Sequence, residues 1–127
     1  EVVEVDGFIN IAAVDDPAGR NFGDFQKMPE AMILDKLSPD HINIFLKHQP
    51  QVIKESIGEF DIQLSGHTHK GQIFPFTLVV NIFYRYMDGL YELGNGSFLY
   101  VSRGTGTWGP PVRFLCFPEI TVIELTR

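Results

Sequence analysis

The sequence predicts an α/β fold, a mixed sheet carrying β-hairpins, on three observations. Two runs rich in β-formers, "EVVEV" and "FINIAAV", are joined by Asp6-Gly7, and a second such pair, "GLYEL" and "SFLYVS", is joined through Asn95-Gly96. D-G and N-G links between strands mark hairpins. Between them, residues 42–65 read strand, helix, strand, and a connection of that length favours parallel neighbours.

The elements follow in order. "DDPAGRN" (Asp15 to Asn21) has the composition of a loop. Apolar residues recur at Phe22, Phe25, Met28, Ile33 and Leu37, a helical spacing interrupted by Pro29, so the helix can start at Pro29, a good first-turn residue. "SPD" ends it. "INIFLK" (Ile42 to Lys47) reads as a mostly buried strand with His48 at its C-terminal end, and "PQVIKESIGE" as a helix opened by Pro50. "FDIQLS" (Phe60 to Ser65) alternates as a strand does, and Gly66 stops it. "IFPFTLVVNIFYRY" (residues 73–86) is apolar but broken by Pro75, Asn81 and Arg85, and is shorter than the roughly 20 residues a spanning helix needs. After the second hairpin, "RGTGTWGPP" is a Gly/Pro-rich loop holding Trp108, and "EITVIEL" closes the chain as a strand.

With 127 residues there is material for one domain. The chain opens inside a strand with no leader, which points to a fragment of something longer. Sixteen acidic against ten basic residues give a net charge of −6, which argues against nucleic acid as the main partner. A phosphorylated substrate held by metal ions stays open, because ions bring their own positive charge. Cys116, the single cysteine, sits in "RFLCF" and reads as a small buried hydrophobe.

The chemistry concentrates in "LSGHTHKGQ". Ligands in parallel α/β sheets lie beyond the carboxyl ends of the strands. His48 ends one strand, and His67 with His69 ends the next, so the three can meet. In extended backbone, residues i and i+2 point to one side. Neutral imidazole is the commonest protein ligand for divalent transition metals. Gly66 allows a sharp turn, Thr68 can brace it, and Gln72 can orient a ligand from behind. His41, in "SPDH", reads as an ordinary surface or satisfied polar residue. Asp15 and Asp16 are the carboxylates near a strand end, and turn formation is their simpler role.

"FLKHQP" followed by "LSGHTHKGQ", "YVSRGTGTWGPPVR" and "PEITVIEL" resembles the C-terminal motifs of the calcineurin-like metallophosphoesterases, in the bacterial branch that often carries an N-terminal membrane anchor. The resemblance runs from "AAVDDP" onward. It implies a four-layer αββα sandwich with two divalent metal ions (manganese, iron or zinc), hydrolysing phosphate esters. His48 resembles the H-x-P ligand of one metal, His67 a ligand of that same metal, and His69 a ligand of the other. The family's earlier motifs, D-x-H, G-D and G-N-H-D/E, are each expected to lie outside these residues. Residues 1–127 therefore resemble one partial domain, the C-terminal half of the sandwich.

Around this, alternatives stand. Lys70 is either a cation that neutralises phosphoryl charge or a solvated loop lysine. Arg103 is a phosphate contact or a structural residue; Arg113 flanks the same loop. Residues 73–86 read as a core-packing segment, or else as an apolar lip for a lipid-like substrate or a membrane surface. The resembling branch implies phosphorylated substrates, lipid-linked or from the cell envelope, and a bacterial location, membrane-associated through a segment outside these residues or cytoplasmic. As an isolated piece, the chain is expected to be inactive and to self-associate through an exposed sheet face. The reading from another class is a non-catalytic regulatory or metal-binding module with a decayed site.

Overall fold

The computed structural model describes residues 1–22 and 28–126. Six strands form one mixed sheet: β1 (Val2–Val5), β2 (Ile9–Ala13), β3 (Ile42–Leu46), β4 (Ile62–Ser65), β5 (Gly89–Gly94) and β6 (Ser97–Val101), in the spatial order β1-β2-β3-β4-β6-β5. β2, β3, β4 and β6 run parallel; β1 and β5 are antiparallel edges. Both hairpins form where the D-G and N-G signals stand. Asp6 and Gly7 take φ 53° and 72°, Asn95 and Gly96 take 50° and 80°, the left-handed pair that matches strand twist.

The two faces of the sheet differ in chemistry. One carries Ala12, Phe45, Gln63 and Leu99 in a single register row, all buried. Helix α1 (Glu30–Leu34) packs there through Ile33 and Leu34, joined by Phe60, to make the core. Two hydrogen bonds link buried polar side chains on this face: Asn10 donates to Asn43 Oδ1 at 2.9 Å, and Gln63 donates to Ser65 Oγ at 2.9 Å, while Gln63 Oε1 is buried without a partner. The opposite face is almost wholly apolar. Val3, Ile11, Ile44, Ile62 and Phe98 form one row, and Ala13, Leu46, Leu64, Tyr100 and Leu90 form the next. Val3, Leu46, Phe98 and Leu90 there are exposed. An α/β sheet with one covered and one open apolar face is what a piece of a layered sandwich presents.

Several sequence expectations are corrected. The helix expected from Phe22 is short and begins at Glu30 with Pro29 as its cap; residues 23–27 lie outside the described set, and Pro17–Phe22 is a 3-10 turn. The helix expected from Pro50 is only a 3-10 turn at Lys54–Ser56, because Ile53 keeps an extended backbone and no side chain caps the start. The parallel pairing of β3 with β4 holds all the same. "EITVIEL" forms no strand. It passes beside Tyr100, pinned through Glu119 and Thr121, and makes one backbone bond, from Glu119 N–H to the Gly104 carbonyl, but no ladder among the described residues, leaving Ile120 and Val122 87% and 90% exposed. Alternation makes a strand only where a partner offers hydrogen bonds. Residues 73–86 do not pack in the core: they hold helix α2 (Phe76–Phe83), none of whose residues is buried.

Candidate metal centre

Four parallel strands end on the same edge, and their C-terminal loops converge there. β2 leads to Asp16, β3 to His48, β4 to His67 and His69, and β6 to Arg103 and the Gly-rich loop. His48 Nε2 lies 3.0 Å from His67 Nδ1 and 3.6 Å from Asp16 Oδ2. These three side chains offer donor atoms all within 4.8 Å of one another. Ligands each about 2.0–2.1 Å from a tetrahedral ion stand about 3.3 Å apart, so this spacing fits one divalent ion. The donor chemistry fits as well. Asp16 Oδ1 is satisfied by the Ala18 backbone N–H and the Gln49 amide, both at 2.9 Å, which leaves Oδ2 to face the histidines.

Electrostatics favours the ligating forms of Asp16 and His67. Burial lowers the pKa of His67, and the neighbouring His48 and His69 lower it further, against the opposing pull of Asp16. Burial also lowers His69, helped by the Arg113 guanidinium and His48. Burial alone would raise Asp16, but the Ala18 and Gln49 hydrogen bonds and the two histidines bring it below its ordinary value.

The sequence placed His48, His67 and His69 together; the structure joins His48 and His67 with Asp16 and leaves His69 close by but outside that donor group. The i, i+2 argument assumed extended backbone, whereas His67 and His69 have φ 67° and 47°. His69 Nδ1 instead accepts from Arg113 Nη2 at 3.1 Å, and its carbonyl accepts from Cys116 Sγ–H, which is buried as expected. A tight turn does begin at Gly66, whose carbonyl accepts from Thr68 N–H at 2.8 Å across His67. Positive-φ backbone then runs from His69 to Gln72, and a Cβ on Gly71 would sit 2.4 Å from Thr77 Cα, so only glycine lets α2 meet the histidine loop. Thr68 braces the loop by donating to the Met87 carbonyl at 2.6 Å. Gln72 does not back a ligand. Its amide donates to the Trp108 and Pro110 carbonyls and its oxygen accepts from Trp108 N–H, so it holds the Gly-rich loop.

The remaining candidates are placed as follows. Lys70 is 41% exposed at its side chain and pairs with Asp88 at 2.9 Å. Arg103 binds Glu119 at 2.5 Å and lies 3.9 Å from Asp88, a structural tie to the tail. Arg113 was underrated by sequence reasoning: besides His69, its guanidinium donates to the carbonyls of Arg103, Gly104 and Gly106, closing the loop on itself. His41 stands at the start of β3, at the opposite edge, 3.4 Å from Asn10. Gly23-Asp24, the one G-D pair in the chain, lies outside the described residues. Tyr84, just past α2, was not singled out from the sequence; its Oη sits 2.7 Å from His67 Nε2.

No protein-family model matches the chain. No solved structure matches it. Curated proteins do. An uncharacterized metallophosphoesterase of Campylobacter jejuni is 42% identical over 121 residues, covering 94% of this chain and 32% of the relative. One from Aquifex aeolicus is 35% identical over 127 residues, covering 98% of this chain and 48% of the relative. A transmembrane protein with metallophosphoesterase domain from Bos taurus is 40% identical over 95 residues, 72% of this chain and 21% of the relative. The chain spans about a third to a half of the length of the bacterial relatives. Among the described residues no helix is long and apolar enough to cross a membrane. With matches that cover 94% and 98% of this chain in bacterial proteins named metallophosphoesterase, and an α/β architecture consistent with part of such a sandwich, the chain belongs to the calcineurin-like metallophosphoesterase family.

Proposed function

We propose that the protein to which this chain belongs hydrolyses phosphoesters with divalent metal ions, and that Asp16, His48 and His67 hold one of them. The observation that supports this most is the convergence of those three donors on the carboxyl edge of the sheet. Two ions are the full complement in this reading, with His69 turning Nδ1 from Arg113 to the second; manganese, iron or zinc suits such mixed nitrogen and oxygen ligands. A bound divalent ion supplies positive charge against the phosphoryl oxygens and makes an attacking water more acidic.

The chain's own residues do the rest. Asp16 offsets cationic charge that three neutral imidazoles leave unbalanced. With His67 Nδ1 turned to the ion, the ring proton sits on Nε2 and is donated to Tyr84 Oη, which fixes the ring. Arg113 holds His69 from the other direction, donating to its Nδ1 until that nitrogen is taken by an ion. Lys70 exchanges Asp88 for a phosphoryl oxygen, a swing its exposure permits. Membrane association is the location we favour, supported by the name of the bovine relative.

The full-length protein with added manganese should hydrolyse bis(p-nitrophenyl) phosphate, and His67→Ala should lower turnover by orders of magnitude without unfolding it. Unchanged turnover in both His67→Ala and His48→Ala would refute the assignment of these ligands; no turnover by the metal-loaded parent would favour the non-catalytic module instead.

A further inference from the structure

Beside the donor group lies a cleft of ≈ 570 Å³. One wall is a helical stripe of α2, Phe76, Val79, Val80 and Phe83, at i, i+3, i+4 and i+7. Trp108 stands opposite, its ring centroid 6.2 Å from that of Phe76, and Ile73 adds to the lining. His67 and His69 close one end, so the cleft shares His67 with the candidate metal centre.

Away from its histidine and Tyr84 end, the polar side chains of this cleft are already spent. Thr68 gives its hydroxyl to the Met87 carbonyl, and Gln72 uses both ends of its amide on Trp108 and Pro110. Sugar hydroxyls or base edges would find few partners there, and burying them unpaired is unfavourable. Trp108 is 59% exposed, yet a buried glutamine holds its backbone with two hydrogen bonds, as a wall kept for something to rest on.

We propose that the substrate is an amphiphilic phosphoester: its phosphate sits at the histidines and its hydrocarbon chain lies along the Phe76–Phe83 stripe under Trp108. This deepens the hydrolase reading above and rests on it. The outer face of α2, with Leu78 at 60% and Ile82 at 80% exposure, does not line the cleft and has no part in holding the chain.

The test uses full-length protein, manganese and a series of p-nitrophenyl alkyl phosphodiesters, methyl to dodecyl, kept below micelle-forming concentrations. kcat/KM should climb with chain length, by up to roughly fourfold for each methylene fully buried, and level off when the cleft is full. Phe83→Ser and Phe76→Ser, both at exposed positions, should reduce the dodecyl-to-methyl ratio at least tenfold; Ile82→Ser should keep it. Hydrolysis of every ester with no dependence on chain length overturns the inference and leaves the hydrolase reading standing. An Ile82→Ser loss as large as that of Phe83→Ser also overturns it, since the helix would then act as an outward surface and not as a cleft wall. No hydrolysis of any ester, with metal bound, removes the hydrolase reading and this inference together.

Discussion

Tyr84 Oη stands 2.7 Å from His67 Nε2, and through that contact the end of helix α2 steadies a side chain of the candidate metal centre. The imidazole is held from both sides, by Tyr84 at Nε2 and by His48 at Nδ1. Partners of this kind behind metal-binding histidines are typically worth about 10- to 100-fold in metal affinity. Tyr84→Phe should therefore weaken zinc or manganese binding by about tenfold or more, read by calorimetry, with little change in thermal stability of the metal-free protein. Unchanged affinity would show that the hydroxyl merely fills space.

Gly71→Ala should be among the more damaging single-methyl changes. The added carbon meets Thr77 backbone at a backbone angle, φ 73°, that favours glycine. A loss of about 2 kcal/mol or more is expected from the forced shift of α2. Urea unfolding measures it; a midpoint equal to the parent's would mean the loop yields freely.

Acid should weaken the metal-free protein earlier than carboxylates alone would. His67 and His69 have folded pKa values below the ordinary 6.5, chiefly through burial, so the unfolded chain takes up protons first as pH falls. Their contribution is complete above pH 6.5 and shrinks as pH drops through the folded values. Asp16 acts lower: its folded value lies below 3.8, and its contribution disappears as pH falls through it. In chelator, the urea midpoint should begin to decline just below pH 6.5, and replacing both histidines with glutamine should flatten that part of the curve. A parent profile level from pH 7 to 5 contradicts the assignment.

Residues 1–127 made alone should self-associate through the open apolar face. Sedimentation should show dimers or larger species, reduced by placing serine at exposed Leu46 and Phe98 together. A monomer at every concentration would mean that this face needs no cover.

Much of this was legible in the sequence because it depended on local signals. Asp6-Gly7 and Asn95-Gly96 dictate their own turns, and the spacing of "INIFLK" and "FDIQLS" fixes a parallel pair whose ends carry His48 and His67. What was not legible depended on tertiary partners. "EITVIEL" has a strand's alternation and no strand to pair with. "FTLVVNIF" is apolar enough for a core, but the sheet face nearest the core is already taken by Ile33, Leu34 and Phe60. Asp16 read as a turn residue and is one, through Ala18; only the fold shows that its second oxygen faces His48. Arg113 and Tyr84 sit 44 and 17 residues from the histidines they touch, with no spacing rule to announce them.

The most direct test is anomalous diffraction from crystals of the full-length protein grown with manganese. The account places a peak within bonding distance of Asp16 Oδ2, His48 Nε2 and His67 Nδ1, and loss of that peak in Asp16→Asn combined with His48→Ala. A manganese site elsewhere in the molecule, with these three side chains still bonded only to one another, would contradict it.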